Sequence, residues 1–83
     1  MSEFAKIVRA ELIRARAKHK PYNSAHEAYA VILEELDEFW EIVRQQTDRR
    51  SRVAMLKELS QIATTAQRAA EDLGLIEPET FES

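Results

Sequence analysis

The chain has 83 residues, the length of one small domain, and its lack of cysteine excludes disulfides and thiolate metal sites. One Gly, two Pro and few β-branched alternations favour an all-α fold, while the absence of any apolar run of membrane-span length or signal-peptide core points to a soluble, cytoplasmic protein with no membrane partner. The net charge of −3 is unevenly spread: residues 6–20 hold six bases and one acid, whereas residues 26–43 hold six acids and no Lys or Arg.

Ser2 is placed to N-cap a first helix over residues 3–19, with Phe4, Ile7, Val8, Leu12 and Ala15 at helical spacing and Ile13 off that stripe. Arg14, Arg16, Lys18, His19 and Lys20 crowd its C-terminal end. The helix macrodipole favours cations there, and the alternatives are contact with phosphate or pairing with the acidic helix. Pro21 ends the helix. His19 and His26 straddle that break, so they make a poor metal pair and read as surface or capping residues.

Ser24-Ala25-His26-Glu27 has the form of a capping box, with the serine bonding forward and the glutamate back, and it opens a second helix over residues 25–46. Tyr29, Ile32, Leu33, Leu36, Trp40 and Val43 share one apolar face; at this spacing Tyr29 and Trp40 read as core rather than as stacking platforms. Most of the acids lie opposite. Glu35 does not, because its neighbours along the helix are Val31, Ile32, Phe39 and Ile42, and Glu38 stands one turn on at the edge of that flank. Two carboxylates about 6 Å apart repel by roughly 1–3 kcal/mol, so this pair needs a counter-charge from elsewhere.

A polar turn over residues 45–50 follows, with Thr47, Asp48 and Ser51 all eligible to cap a third helix over residues 50–73. Leu56, Leu59, Ala63, Ala66, Ala70 and Leu73 form an alanine-rich seam on it, and Gly74 is placed for a Schellman or αL stop. Residues 75–83 read as a tail with an apolar anchor at Phe81. Two long helices joined by a short turn predict an antiparallel hairpin. Val31, Phe39 and Ile42 lie outside the main stripe of helix two, and this apolar excess predicts a helical bundle completed by a homodimer or a dimer of dimers.

Helix three repeats the acidic anomaly. Glu58 lies between Ala54, Met55 and Ile62, with Gln61 one turn on. Glu35-x-x-Glu38 and Glu58-x-x-Gln61 thus place two oxygen-bearing pairs on neighbouring helices, a donor set that selects Mg²⁺ or Mn²⁺ over zinc. The basic residues lack interleaved aromatics and face an acidic helix, so nucleic acid is not an expected partner.

Glu34-Glu35-Leu36-Asp37-Glu38, followed on the next helix by Glu58-Leu59-Ser60-Gln61, resembles the signature of the MazG-like all-α nucleoside triphosphate pyrophosphatases, over about residues 24–73. The resemblance implies one MazG-like domain over residues 1–83 that hydrolyses a nucleoside triphosphate to the monophosphate and pyrophosphate. It implies Glu35, Glu38, Glu58 and Gln61 as Mg²⁺ ligands, with Glu34 or Glu38 as the catalytic carboxylate. Arg14, Arg16, Lys18, Arg49, Arg50 and Arg52 are then the bases available to the phosphate tail. Gln61 stands where the family usually has aspartate, and an amide oxygen can ligate but brings no charge. A non-catalytic relative that binds a nucleotide or a partner is therefore the alternative, and a structural helical oligomer with solvated acids the third.

Overall fold

The structure, a computed structural model, describes residues 1–81; the last two residues of the expected tail lie outside them. Its elements are α1 (Glu3–Lys18), α2 (Ala25–Val43) and α3 (Arg52–Asp72), with a single 3₁₀ turn at Thr47–Arg49 before α3, and no strand among the described residues.

The caps follow from side-chain chemistry. Ser2, Ser24 and Ser51 each accept from the backbone N–H three residues on, at 3.0–3.1 Å, so Ser51 is the cap that opens α3. Ser24 fulfils its half of the capping box, but the Glu27 carboxylate reaches one residue further back, accepting from the Asn23 backbone N–H at 3.2 Å. Gly74, with φ of +73°, completes a Schellman stop: its N–H donates to the Glu71 carbonyl at 3.1 Å and that of Leu75 to the Ala70 carbonyl at 2.9 Å. α2 ends at Val43, three residues before the expected boundary. Gln46 is extended there, and Arg50 Nη2 donates to the Val43 carbonyl at 2.8 Å, satisfying a helix-end acceptor that water or a further turn would otherwise take.

α3 packs against both α1 and α2, and α1 does not pack on α2. The core is small. Val8 and Leu12 are buried on α1, and Tyr22, Ala28 and Ala69 form a cluster flanked by Val31, Ile32 and Leu73. The loop from Lys20 to Asn23 is anchored by Tyr22, whose backbone N–H donates to Asp72 Oδ2 at 2.9 Å. Its ring lies under the Arg68 guanidinium, 4.4 Å from the centroid, and its hydroxyl accepts from Arg68 Nη1 at 3.1 Å.

Two faces depart from expectation. On α2 the flank carrying Ala28, Val31, Ile32, Glu35, Phe39 and Ile42 is turned inward, while Tyr29, Leu33, Leu36 and Trp40 are exposed, Tyr29 at 66% and Trp40 at 57%. Tyr29 and Trp40 are therefore not core residues within one chain. On α3 the inward face is polar: Ser60, Thr64, Thr65, Arg68 and Glu71 are buried, and Leu56, Leu59 and Ala66 of the expected seam are exposed. The hydroxyls make this burial affordable. Ser60 Oγ donates to the Lys57 carbonyl and Thr64 Oγ1 to the Ser60 carbonyl, both at 2.7 Å, and Thr65 Oγ1 to the Gln61 carbonyl at 2.9 Å. With those donors satisfied on their own helix, small side chains let the neighbours approach closely.

Candidate metal centre and adjoining cleft

The inward rotation of α2 carries Glu35 against α3, where Glu58 projects one turn before Ile62. Glu35, Glu38 and Glu58 each offer a carboxylate oxygen within 4.8 Å of the others. Glu35 and Glu58 are half-buried and Glu38 is exposed, so the cluster lies at the helix interface with one side open to solvent. Burial, and then the charges of Glu38 and Glu58, push the Glu35 carboxyl up to about 7. Burial and a hydrogen bond with Glu38 likewise raise Glu58 above its usual range. Glu58 Oε2 is buried and has no hydrogen-bond partner among the described residues. Three convergent carboxylates, one with an orphaned oxygen, are suited to a hard divalent cation, which would supply the missing positive charge.

Beside this cluster, α1 and α2 stand apart over α3 and leave a cleft of about 560 Å³. Glu35 belongs to both features. Around the cleft, α1 contributes Glu11, Arg14, Ala15 and Lys18, and the loop adds His19, Lys20 and Tyr22. Glu27, Val31 and Glu34 come from α2, and Gln61, Thr64, Thr65 and Arg68 from α3. Bases on one wall thus face acids on the other.

The expected site residues divide accordingly. Glu34, Glu35, Gln61, Arg14 and Lys18 share the cleft, and Glu38 and Glu58 join Glu35 at its edge. Gln61 is turned to α1: its Nε2 donates to Glu11 Oε2 at 2.7 Å. Arg16 lies on the other side of α1, holding Glu71 at 2.8 Å and Asp72 at 2.6 Å. Burial opposes the Arg16 charge, but these two carboxylates outweigh it and raise its pKa further. Arg50 caps α2, and neither Arg49 nor Arg52 lines the cleft. Glu27, read as a capping residue alone, also lines it.

Glu11, Tyr22 and Arg68 are among the cleft residues that escaped the sequence reading. Glu11 is the one acid in the basic stretch of residues 6–20, and its i,i+3 spacing to Arg14 is the signal that marks it. Arg68 interrupts an alanine-rich run, and Tyr22 follows the helix-breaking proline. Only the fold shows that Tyr22 and Arg68 stack. No family model, curated protein or solved structure matches this chain.

Proposed function

We propose that the protein is a Mg²⁺-dependent nucleotide pyrophosphohydrolase that cleaves a nucleoside triphosphate to the monophosphate and pyrophosphate. The observation that carries this reading is the meeting of Glu35, Glu38 and Glu58 within 4.8 Å at the edge of a cleft whose opposite wall is basic. The α2–turn–α3 unit is then the long antiparallel hairpin of the MazG-like fold that the sequence resembles. The exposed stripes of Tyr29, Leu33, Leu36 and Trp40 on α2 and of Leu56 and Leu59 on α3 are the surface on which a second copy packs.

Glu35, Glu38 and Glu58 would hold the cation, with the Gln61 carbonyl oxygen one turn along α3 as a neutral oxygen donor. When bound, Mg²⁺ neutralises phosphate charge and acidifies water. Glu34, exposed on the cleft wall, is free to accept a proton there, as is the Glu38 oxygen not engaged with the cation. Arg14 and Lys18, on the opposite wall, bind the phosphate tail. Arg16 and Arg50 are already committed to Glu71, Asp72 and the α2 terminus, so they take no part in this role.

The test is incubation with individual dNTPs and NTPs in millimolar Mg²⁺, with release of pyrophosphate as the readout. Wild type releases pyrophosphate, Glu35→Gln does not, and Glu41→Gln, on the exposed side of α2, is as active as wild type. No pyrophosphate or shorter phosphate from any nucleotide would end the enzymatic reading. The engagement of Gln61 with Glu11 favours one second reading, a nucleotide- or partner-binding relative without turnover. Mg²⁺-dependent nucleotide binding with no product is its signature.

A further inference from the structure

Glu11 is out of place by charge. It projects into the cleft from the basic helix, among Arg14, Lys18, His19 and Lys20. Its two oxygens are both engaged: Oε1 pairs with Arg14 and Oε2 accepts from the Gln61 amide across the α1–α3 interface. A carboxylate can only accept, so Glu11 obliges Gln61 to present its nitrogen to α1 and leaves the carbonyl oxygen as the amide's outward group. An acid at position 61 would instead stand 2.7 Å from Glu11, with like charges facing one another. The two contacts differ in strength. Gln61 is half-buried and ties Glu11, itself 21% exposed, to α3, whereas the Arg14 side chain is 60% exposed and pairs within its own helix. Exposed pairs of this kind contribute little, and a phosphate group binds a guanidinium with two parallel hydrogen bonds.

We propose that Glu11 is a positioning residue of the cleft: an internal anion that sets the Gln61 amide and occupies Arg14 until a phosphate-bearing ligand takes Arg14 over. The exchange rests on the nucleotide reading of the cleft; the positioning of Gln61 does not. α1 contacts α3 but not α2, so this contact helps set where the α1 wall of the cleft stands on α3.

Two measurements test it. In calorimetric titration with inorganic triphosphate and Mg²⁺, Glu11→Gln removes the internal competitor but keeps an amide able to bond Gln61, and affinity rises about two- to fivefold. In an Arg14→Gln background the same change brings no such gain, and Glu41→Gln, which removes an acid elsewhere, does not reproduce it. An unchanged or weaker affinity in Glu11→Gln, or a gain that survives loss of Arg14, overturns the exchange. The second measurement needs no ligand. Gln61→Glu lowers the melting temperature by opposing two carboxylates, and adding Glu11→Gln to it restores the melt by reversing donor and acceptor. Absence of that rescue overturns the positioning role. Failure of wild type to bind triphosphate, with the rescue intact, counts against the nucleotide reading and the exchange while upholding the positioning of Gln61.

Discussion

At the residue scale, the three clustered glutamates predict how stability responds to pH and, on the proposed function, to cations. Glu35 titrates near 7 in the fold but near 4.5 in the unfolded chain, because burial and the Glu38 and Glu58 charges favour its protonated form. Between those values the folded state holds more protons than the unfolded state, so stability is greatest at the acid end and is lost as pH rises through 7. Thermal melts in EDTA should show the midpoint falling from pH 5 to pH 8, with Glu35→Gln flattening much of that slope. A midpoint that rises over this range in wild type would contradict the cluster. Glu71 acts in the opposite sense. Despite burial, its bonds to Gln67, Arg16 and the Glu79 backbone hold it low, so its stabilisation is present above 4.5 and fades below it, outside the tested window.

The same carboxylates predict a cation effect. Mg²⁺ bound only by the folded state stabilises by RT ln(1 + [L]/Kd), about 2.7 kcal/mol at a hundredfold excess over Kd. In a domain of this size that is a melting shift of roughly 10–20 °C. Glu38→Gln should melt higher than wild type in EDTA, because one repelling charge is gone, and gain less from Mg²⁺. Glu41→Gln is the control, since Glu41 pairs with Arg44 at 3.1 Å on the exposed surface. Equal shifts in all three proteins, or none, would show that the acids of α2 are an ordinary charged surface.

At the element scale, α1 is the part held most by polar contacts. Besides the apolar contacts of Val8 and Leu12, it is fastened to α3 by Arg16 on Glu71 and Asp72, whose side chains are only 2% and 4% exposed, and by Glu11 on Gln61. Glu71 also accepts from the backbone N–H of Glu79, while Arg9 pairs with Glu79 at 3.1 Å and lies over the Phe81 ring, so residues 79–81 are drawn into the same junction. Removing Arg16 strands two buried carboxylates rather than one exposed charge. Arg16→Gln should therefore destabilise by about 3 kcal/mol in denaturant unfolding, and Arg14→Gln, at the exposed pair, by well under 1 kcal/mol. Equal losses for the two variants would mean that the Arg16 junction is solvated.

At the scale of the whole molecule, the chain faces its best apolar stripes outward. Tyr29, Leu33, Leu36 and Trp40 on α2 and Leu56 and Leu59 on α3 are exposed, whereas the buried cluster inside consists of Tyr22, Ala28 and Ala69. The second copy proposed above would bury these stripes. Light scattering on a sizing column should report at least a dimer at micromolar concentration. Leu36→Glu with Trp40→Glu should shift it to monomer, and a wild-type monomer with a cooperative melt would refute the shared bundle.

The sequence by itself determined what depends on near neighbours in the chain. Three helices, the caps at Ser2 and Ser24, the Pro21 break and a helix stop at Gly74 are properties of residues within a few positions of one another, as is the anomalous flank on which Glu35 sits. The choice of Ser51 over Thr47 and Asp48, and of the Schellman form at Gly74, came from the structure. What else the sequence left undecided depends on which face meets which. Hydrophobic spacing ranks faces by apolarity and assigns the most apolar one to the core; here the small hydroxyl-bearing face of α3 satisfies its own donors and admits α2 and α1 closely, so the richer stripes remain outside. That choice brought Glu58 to Glu35 and Glu38, sent Arg16 to Glu71 and Asp72, and set Glu11 against Gln61 across 50 residues of chain. Local pattern carries no term for such meetings, because their energy arises only when α1 and α2 dock on α3.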